Sequence, residues 1–90
     1  MNSYLVGLEL NKRYGEYEPL FDKIKSFGTQ WYQYTGNTWV IKSNLSPNDI
    51  MTILRPHTYI GDKILVVKMV RSASWEGLPI EEEQWLNDFL

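Results

Sequence analysis

The chain contains no cysteine, which removes disulfides and thiolate metal sites from the ways a small protein can be held together. It has a single histidine, His57, so no second imidazole or thiol is at hand to build a nucleophile pair or a histidine metal site. It also lacks an excess of either charge: nine Lys and Arg stand against eleven Asp and Glu, a net charge of −2 with no run of basic residues. Duplex binding by phosphate neutralisation needs a basic stripe, and none is visible. No apolar run approaches the roughly 20 residues of a membrane span. The opening "MNSYLVGLEL" carries no basic region ahead of a cleavable apolar segment. The expectation is a soluble, cytoplasmic protein with no membrane partner.

What is abundant is aromatic: four Trp, six Tyr and three Phe among 90 residues. A chain of this length buries only about 60–65% of the surface its unfolded form exposes. A single domain over residues 1–90 is therefore expected, with an appendage over about residues 75–90. Its rings are shared between a small core and a ligand or partner surface.

"SYLVGLEL" alternates as a strand over about Ser3 to Leu10, with Tyr4, Val6, Leu8 and Leu10 on one face and Leu5, Gly7 and Glu9 on the other. After "NKRYGEY", Pro19 suits a first helical turn, Leu20, Phe21, Ile24 and Phe27 recur at helical spacing, and Gly28 is the expected stop. "TQWYQY" and "TWVIKS" read as strands joined around Thr35-Gly36-Asn37, where Gly and Asn tolerate positive φ. In "SNLSPNDIMTILRPH", Ser46 is the expected N-cap, Pro47 the first helical residue and Arg55 the end, because Pro56 follows. "KILVVKMV" is apolar on both alternating faces apart from its lysines, as in a strand covered on two sides. Pro79 and three glutamates open a final short helix that presents Trp85, Leu86, Phe89 and Leu90.

The order βαββαβ predicts an α+β fold of the ferredoxin-like, split βαβ type: a four-stranded antiparallel sheet with two helices on one face, plus the C-terminal helix. The other face is then expected to be open. Glu9 belongs to that side, where a second copy or a ligand would cover the apolar residues. Its carboxylate needs a partner, and Lys12, Arg13 and Lys42 are the expected ones.

The stretches "YLVGLELNK", "WYQYTGNTWVIKSNLSPNDI", "LRPH" and "DKILVVKM" together resemble small bacterial and phage proteins catalogued as the SinR family. These are relatives of the dimeric ferredoxin-fold subunit of CRISPR spacer acquisition, and the likeness extends to about Trp75. It implies a homodimer. In those relatives an aspartate ending strand 1 meets its counterpart across the dimer; some members are metal-dependent nucleases and others hold DNA without cutting it. The matching residue is Glu9, which the resemblance makes the catalytic and metal-ligating candidate, with Mg²⁺ or Mn²⁺ needed only by a nuclease and no other cofactor implied. Glutamate's extra methylene moves the charge, Mg²⁺ demands near-ideal octahedral geometry, and a two-metal site needs several carboxylates about 4 Å apart.

For ligand binding the candidates are Trp31, Tyr32, Tyr34 and Trp39 on the central hairpin, whose rings either stack on bases or divide between core and dimer seam. Arg55 is a candidate for phosphate, and His57 lies beside it. The expected function is a non-catalytic homodimeric binding module for nucleic acid or a nucleotide-like ligand. The alternatives are a protein-interaction factor in phage defence or counter-defence, and a metal-dependent nuclease using paired Glu9.

Overall fold

The computed structural model describes residues 1–28, 30–70 and 73–89, with Phe89 described by its backbone alone. Strand β1 spans Asn2–Glu9 and realises the alternation of its sequence: Tyr4, Val6 and Leu8 are buried in the core, while Leu5, Gly7 and Glu9 face the other way. It lies centrally. On one side it pairs antiparallel with β3 (Thr38–Ser43), from Asn2 opposite Ser43 to Gly7 opposite Thr38. On the other it pairs antiparallel with β4 (Lys63–Met69), from Ser3 opposite Met69 to Glu9 opposite Lys63. Strand β2 (Trp31–Thr35) completes the sheet against β3, giving the order β2-β3-β1-β4.

Two helices form one layer. Helix α1 (Glu18–Lys25) follows a 3₁₀ turn at Tyr14–Tyr17 and has Pro19 in its first turn. Helix α2 (Pro47–Leu54) starts from the expected Ser46: its hydroxyl accepts the Asp49 N–H at 3.1 Å, and the Asp49 carboxylate accepts the Ser46 N–H at 3.4 Å. Leu20 and Ile24 from α1 and Ile50 and Leu54 from α2 are fully buried against Tyr4, Val6, Trp39 and Ile41 of the sheet. Each such side chain contributes about 1.5–3 kcal/mol relative to exposure. Tyr4 keeps its hydroxyl satisfied by donating to the Leu45 carbonyl at 2.6 Å, which ties β1 to the entry of α2.

Helix α3 (Ile80–Phe89) carries Glu81, Glu82 and Glu83 in its first turn, and the Glu82 and Glu83 N–H groups donate to the Pro79 carbonyl. It packs on the opposite face of the sheet, where the Trp85 ring lies 5.2 Å from that of Tyr32. The second face is therefore half covered by the chain's own C-terminal segment, whereas the strand pattern alone predicts it open throughout. Leu90 and the Phe89 side chain, expected to join this apolar patch, lie outside the described residues, as does Thr29 at the expected start of β2.

Three local expectations are corrected. Strand β4 is an edge, covered by helices on one face only: Leu65 and Val67 on the other are 59% and 43% exposed. Helix α1 ends ahead of Gly28, on Ser26, whose N–H donates to the Lys23 carbonyl at 3.1 Å. In the β2–β3 hairpin neither Gly36 nor Asn37 adopts positive φ. At Gly36 a Cβ would meet the hydroxyl end of the exposed Tyr14 side chain, which donates to the Asn37 side-chain oxygen and would have to shift.

Positive φ is instead found at Gly61, at +91°, where a Cβ would also collide with the Asn11 side-chain amide. Gly61→Ala is expected to destabilise the fold by about 1–2 kcal/mol. In a chain of this size that lowers the thermal midpoint by roughly 5–15 °C, as calorimetry would record.

Candidate functional site

The face opposite α1 and α2 is built from Leu5, Gly7 and Glu9 of β1, Thr38 and Val40 of β3, and Lys63, Leu65, Val67 and Met69 of β4, as their register requires. Strand β2 adds Tyr32, which stands opposite Val40. The register slips between Gln33 and Thr35, leaving Tyr34 as the extra residue of a β-bulge. Tyr34, two residues from Tyr32 on the same strand, stands beside it on the same cleft.

The C-terminal segment closes over this corner. The Tyr32 hydroxyl donates to the Glu82 carboxylate at 3.0 Å, Leu86 is buried, and Val40 beneath is only 5% exposed. Between segment and sheet lies a cleft of about 260 Å³, with Leu5, Val40 and Met69 from the sheet, Tyr32 and Tyr34 from the bulged strand, and Trp75 from the tail. Its volume is near the lower end of the roughly 300–1,000 Å³ common for ligand pockets, so it suits a small group. The Tyr32 phenol is pushed up to about 12: burial disfavours the phenolate first, then the Glu82 carboxylate that accepts its proton, then Tyr34. It is a neutral hydrogen-bond donor throughout the physiological range.

The expected site residues do not converge. Trp39 lies in the helix-side core, stacked on Phe21 at 5.8 Å and tilted against Trp31 at 5.4 Å. The Lys25 ammonium sits 5.0 Å above the Trp31 ring. Neither tryptophan reaches the cleft occupied by Tyr32 and Tyr34. Arg55 and His57 belong to a 3₁₀ turn that continues α2, in the helical layer on the far side of the sheet. The hairpin rings thus divide by strand parity into two pairs on opposite faces.

Glu9 ends β1 opposite Lys63, and the two groups meet at 3.7 Å on the exposed surface. Its cross-strand partner is therefore none of the three expected bases. Lys42 stands at the other end of the strand, opposite Ser3, and the Lys12 ammonium lies over the Tyr59 ring. Among the described residues no group of three or more His, Asp or Glu is placed to hold a metal ion.

Asp62, which sequence analysis did not single out, is the most connected carboxylate described. It accepts the Asn11 N–H, the Tyr59 N–H and the Tyr17 hydroxyl, each at 2.8 Å. Burial alone would raise its pKa; those donors and the nearby Lys12 ammonium outweigh it and hold the carboxyl below its ordinary value of 3.8. Tyr17 in turn accepts the Lys12 N–H at 3.0 Å, and burial raises its phenol. The group clasps the loop after β1 to the loop before β4. All its donors come from the chain itself, which makes it structural.

Comparison of the chain with family models, curated proteins and solved structures gave no match. No helix among the described residues is long and apolar enough to cross a membrane.

Proposed function

We propose that the protein is a non-catalytic binding module whose sheet-face cleft takes the base of a nucleotide-like ligand or of a nucleic-acid strand. The observation that carries this reading is the meeting of Tyr32, Tyr34 and Trp75 on one cleft of about 260 Å³. Every base offers a π-face to such rings, and stacking contributes about 1–3 kcal/mol per base. Net charge −2 and the presence of Glu76 in the lining favour recognition through the base over recognition through phosphate. The Glu9–Lys63 pair supports a structural part for Glu9 in the sheet, in preference to a metal or general-base role.

Titration calorimetry with nucleosides, mononucleotides and a short single-stranded oligonucleotide tests this. At least one is expected to bind, and Tyr34→Ala to weaken it about tenfold, since Tyr34 is 59% exposed and not a core residue. Heats indistinguishable from dilution across the panel, or binding untouched by Tyr34→Ala, would sink the proposal.

The same proposal includes the ferredoxin-like assignment, a homodimer, and kinship with the SinR-family proteins. The strand order β2-β3-β1-β4, read from the other edge as 4-1-3-2, and the element sequence βαββαβ support the first. A second reading, a protein-interaction factor of phage defence or counter-defence, is favoured by the exposed Leu65 and Val67 beside the cleft.

A further inference from the structure

We infer that the aromatic cleft continues along β1 into a trough for the pentose of a nucleoside, floored by Gly7, with the Glu9 carboxylate accepting the sugar hydroxyls. The inference deepens the base-binding reading and rests on it.

Gly7 stands on a central strand, paired on both sides, where glycine weakens the strand and packs nothing. The usual structural reasons for keeping it there are absent. Its φ is not positive, a conformation found only at Gly61 and Gly77 among the described residues. Strand β1 is not bulged at Gly7, since its register runs unbroken against both β3 and β4. Nor is space short: a Cβ would lie 3.7 Å from Leu5 and 3.9 Å from Leu65, ordinary contact distances, and would meet nothing else among the described residues beyond its chain neighbours. Close approach of another molecule to the bare backbone is the reason that is left.

The surroundings select that molecule. An open cleft of about 310 Å³ lies over Gly7 and is lined also by Glu9, Thr38, Lys63 and Leu65. Thr38, which stands opposite Gly7, borders the aromatic cleft as well, so the two clefts adjoin. Along β1 the residues of this face, Leu5, Gly7 and Glu9, follow one another at steps of about 7 Å. A base lying over Leu5 and Val40 therefore sets its pentose over Gly7 and the sugar hydroxyls towards Glu9. A carboxylate only accepts hydrogen bonds, which suits hydroxyls, and an acidic side chain recognises ribose in this way in dinucleotide-binding folds. Lys63, 3.7 Å from Glu9, balances its charge. The pair thus offers no excess positive charge to a phosphate.

Titration calorimetry of the parent, Gly7→Ala and Glu9→Ala with free nucleobases, the corresponding ribonucleosides and their monophosphates tests this. Circular dichroism follows the fold. The parent is expected to bind at least one ribonucleoside more tightly than its free base. Gly7→Ala should keep the fold, with a thermal midpoint equal to or above the parent's, yet weaken that ribonucleoside about tenfold; Glu9→Ala should weaken it about fivefold or more. No binding of any base or ribonucleoside overturns the cleft and the trough together. Free bases bound as tightly as ribonucleosides, or ribonucleoside affinity untouched by Gly7→Ala, leave the base reading standing and overturn the trough. Binding confined to the monophosphates assigns recognition to Lys63 and overturns the part given to the sugar. A Gly7→Ala chain that fails to fold shows that the strand itself requires the glycine, and also overturns the inference.

Discussion

Replacing Trp39 with alanine is expected to remove about 3–5 kcal/mol of folding stability, enough to leave a chain of this size mostly unfolded at 37 °C if its total lies at the low end of the usual range of about 5–15 kcal/mol. The reason is position. Trp39 is 1% exposed and stands on β3 between the α1 layer and the sheet, with Phe21 on one side and Trp31 on the other. Alanine leaves a void that three separate elements border, and a rigid sheet cannot collapse into it. Urea titration followed by circular dichroism measures the loss as a lowered midpoint; a variant within 1 kcal/mol of the parent would show that the ring cluster is not the keystone of the core.

Trp39→Phe separates packing from polarity at the same site. The indole Nε1 is buried with no hydrogen-bond partner among the described residues, and an unsatisfied buried donor costs about 1–3 kcal/mol. Phenylalanine loses ring volume but discards that donor, so the variant is expected to fall within about 1 kcal/mol of the parent. Should Phe prove as damaging as Ala, Nε1 must donate to a partner, and the shape of the ring would not account for the loss.

The elements were legible where the signal is local. Alternation in "SYLVGLEL" gives β1 and its buried face because period two is a property of the strand itself. Ser46 and Pro47 give the start of α2 because an N-cap acts within its own first turn. What the sequence withholds is pairing at a distance. Lys63 is the partner of Glu9 only because β4 aligns with β1 in one register. The Tyr32–Glu82 bond spans 50 positions, and nothing in the helical spacing of Trp85 and Leu86 says which apolar surface they cover. For this reason a face expected to be open turns out to be half closed. The apolar run "KILVVKMV" misled for a related cause: composition reads as burial on two sides, but only topology says that β4 is an edge. At the candidate site, Tyr32 and Tyr34 were legible as rings two residues apart on one strand of the hairpin, while the C-terminal segment that closes over them was not.

Asp62→Ala is the second substitution expected to have a large effect, about 2–3 kcal/mol at neutral pH, since hydrogen bonds to a charged group are the stronger kind. It strips a shared acceptor from Asn11, Tyr59 and Tyr17 at once, and so unlinks the loop after β1 from the loop before β4. Asp62→Asn keeps one acceptor oxygen and should cost less, but it abolishes the charge and with it a pH dependence whose direction follows from linkage. The native carboxyl is held below its ordinary value. The unfolded chain therefore binds this proton more readily than the folded one, and stability from the clasp is complete above about pH 4 and fades as pH falls through the native pKa. Between pH 7 and pH 3 the parent is expected to lose more urea resistance than Asp62→Asn, the difference being the contribution of this one group. Parallel losses in the two proteins would show that the acid sensitivity of the fold resides in other carboxylates and that the clasp is held by geometry without charge.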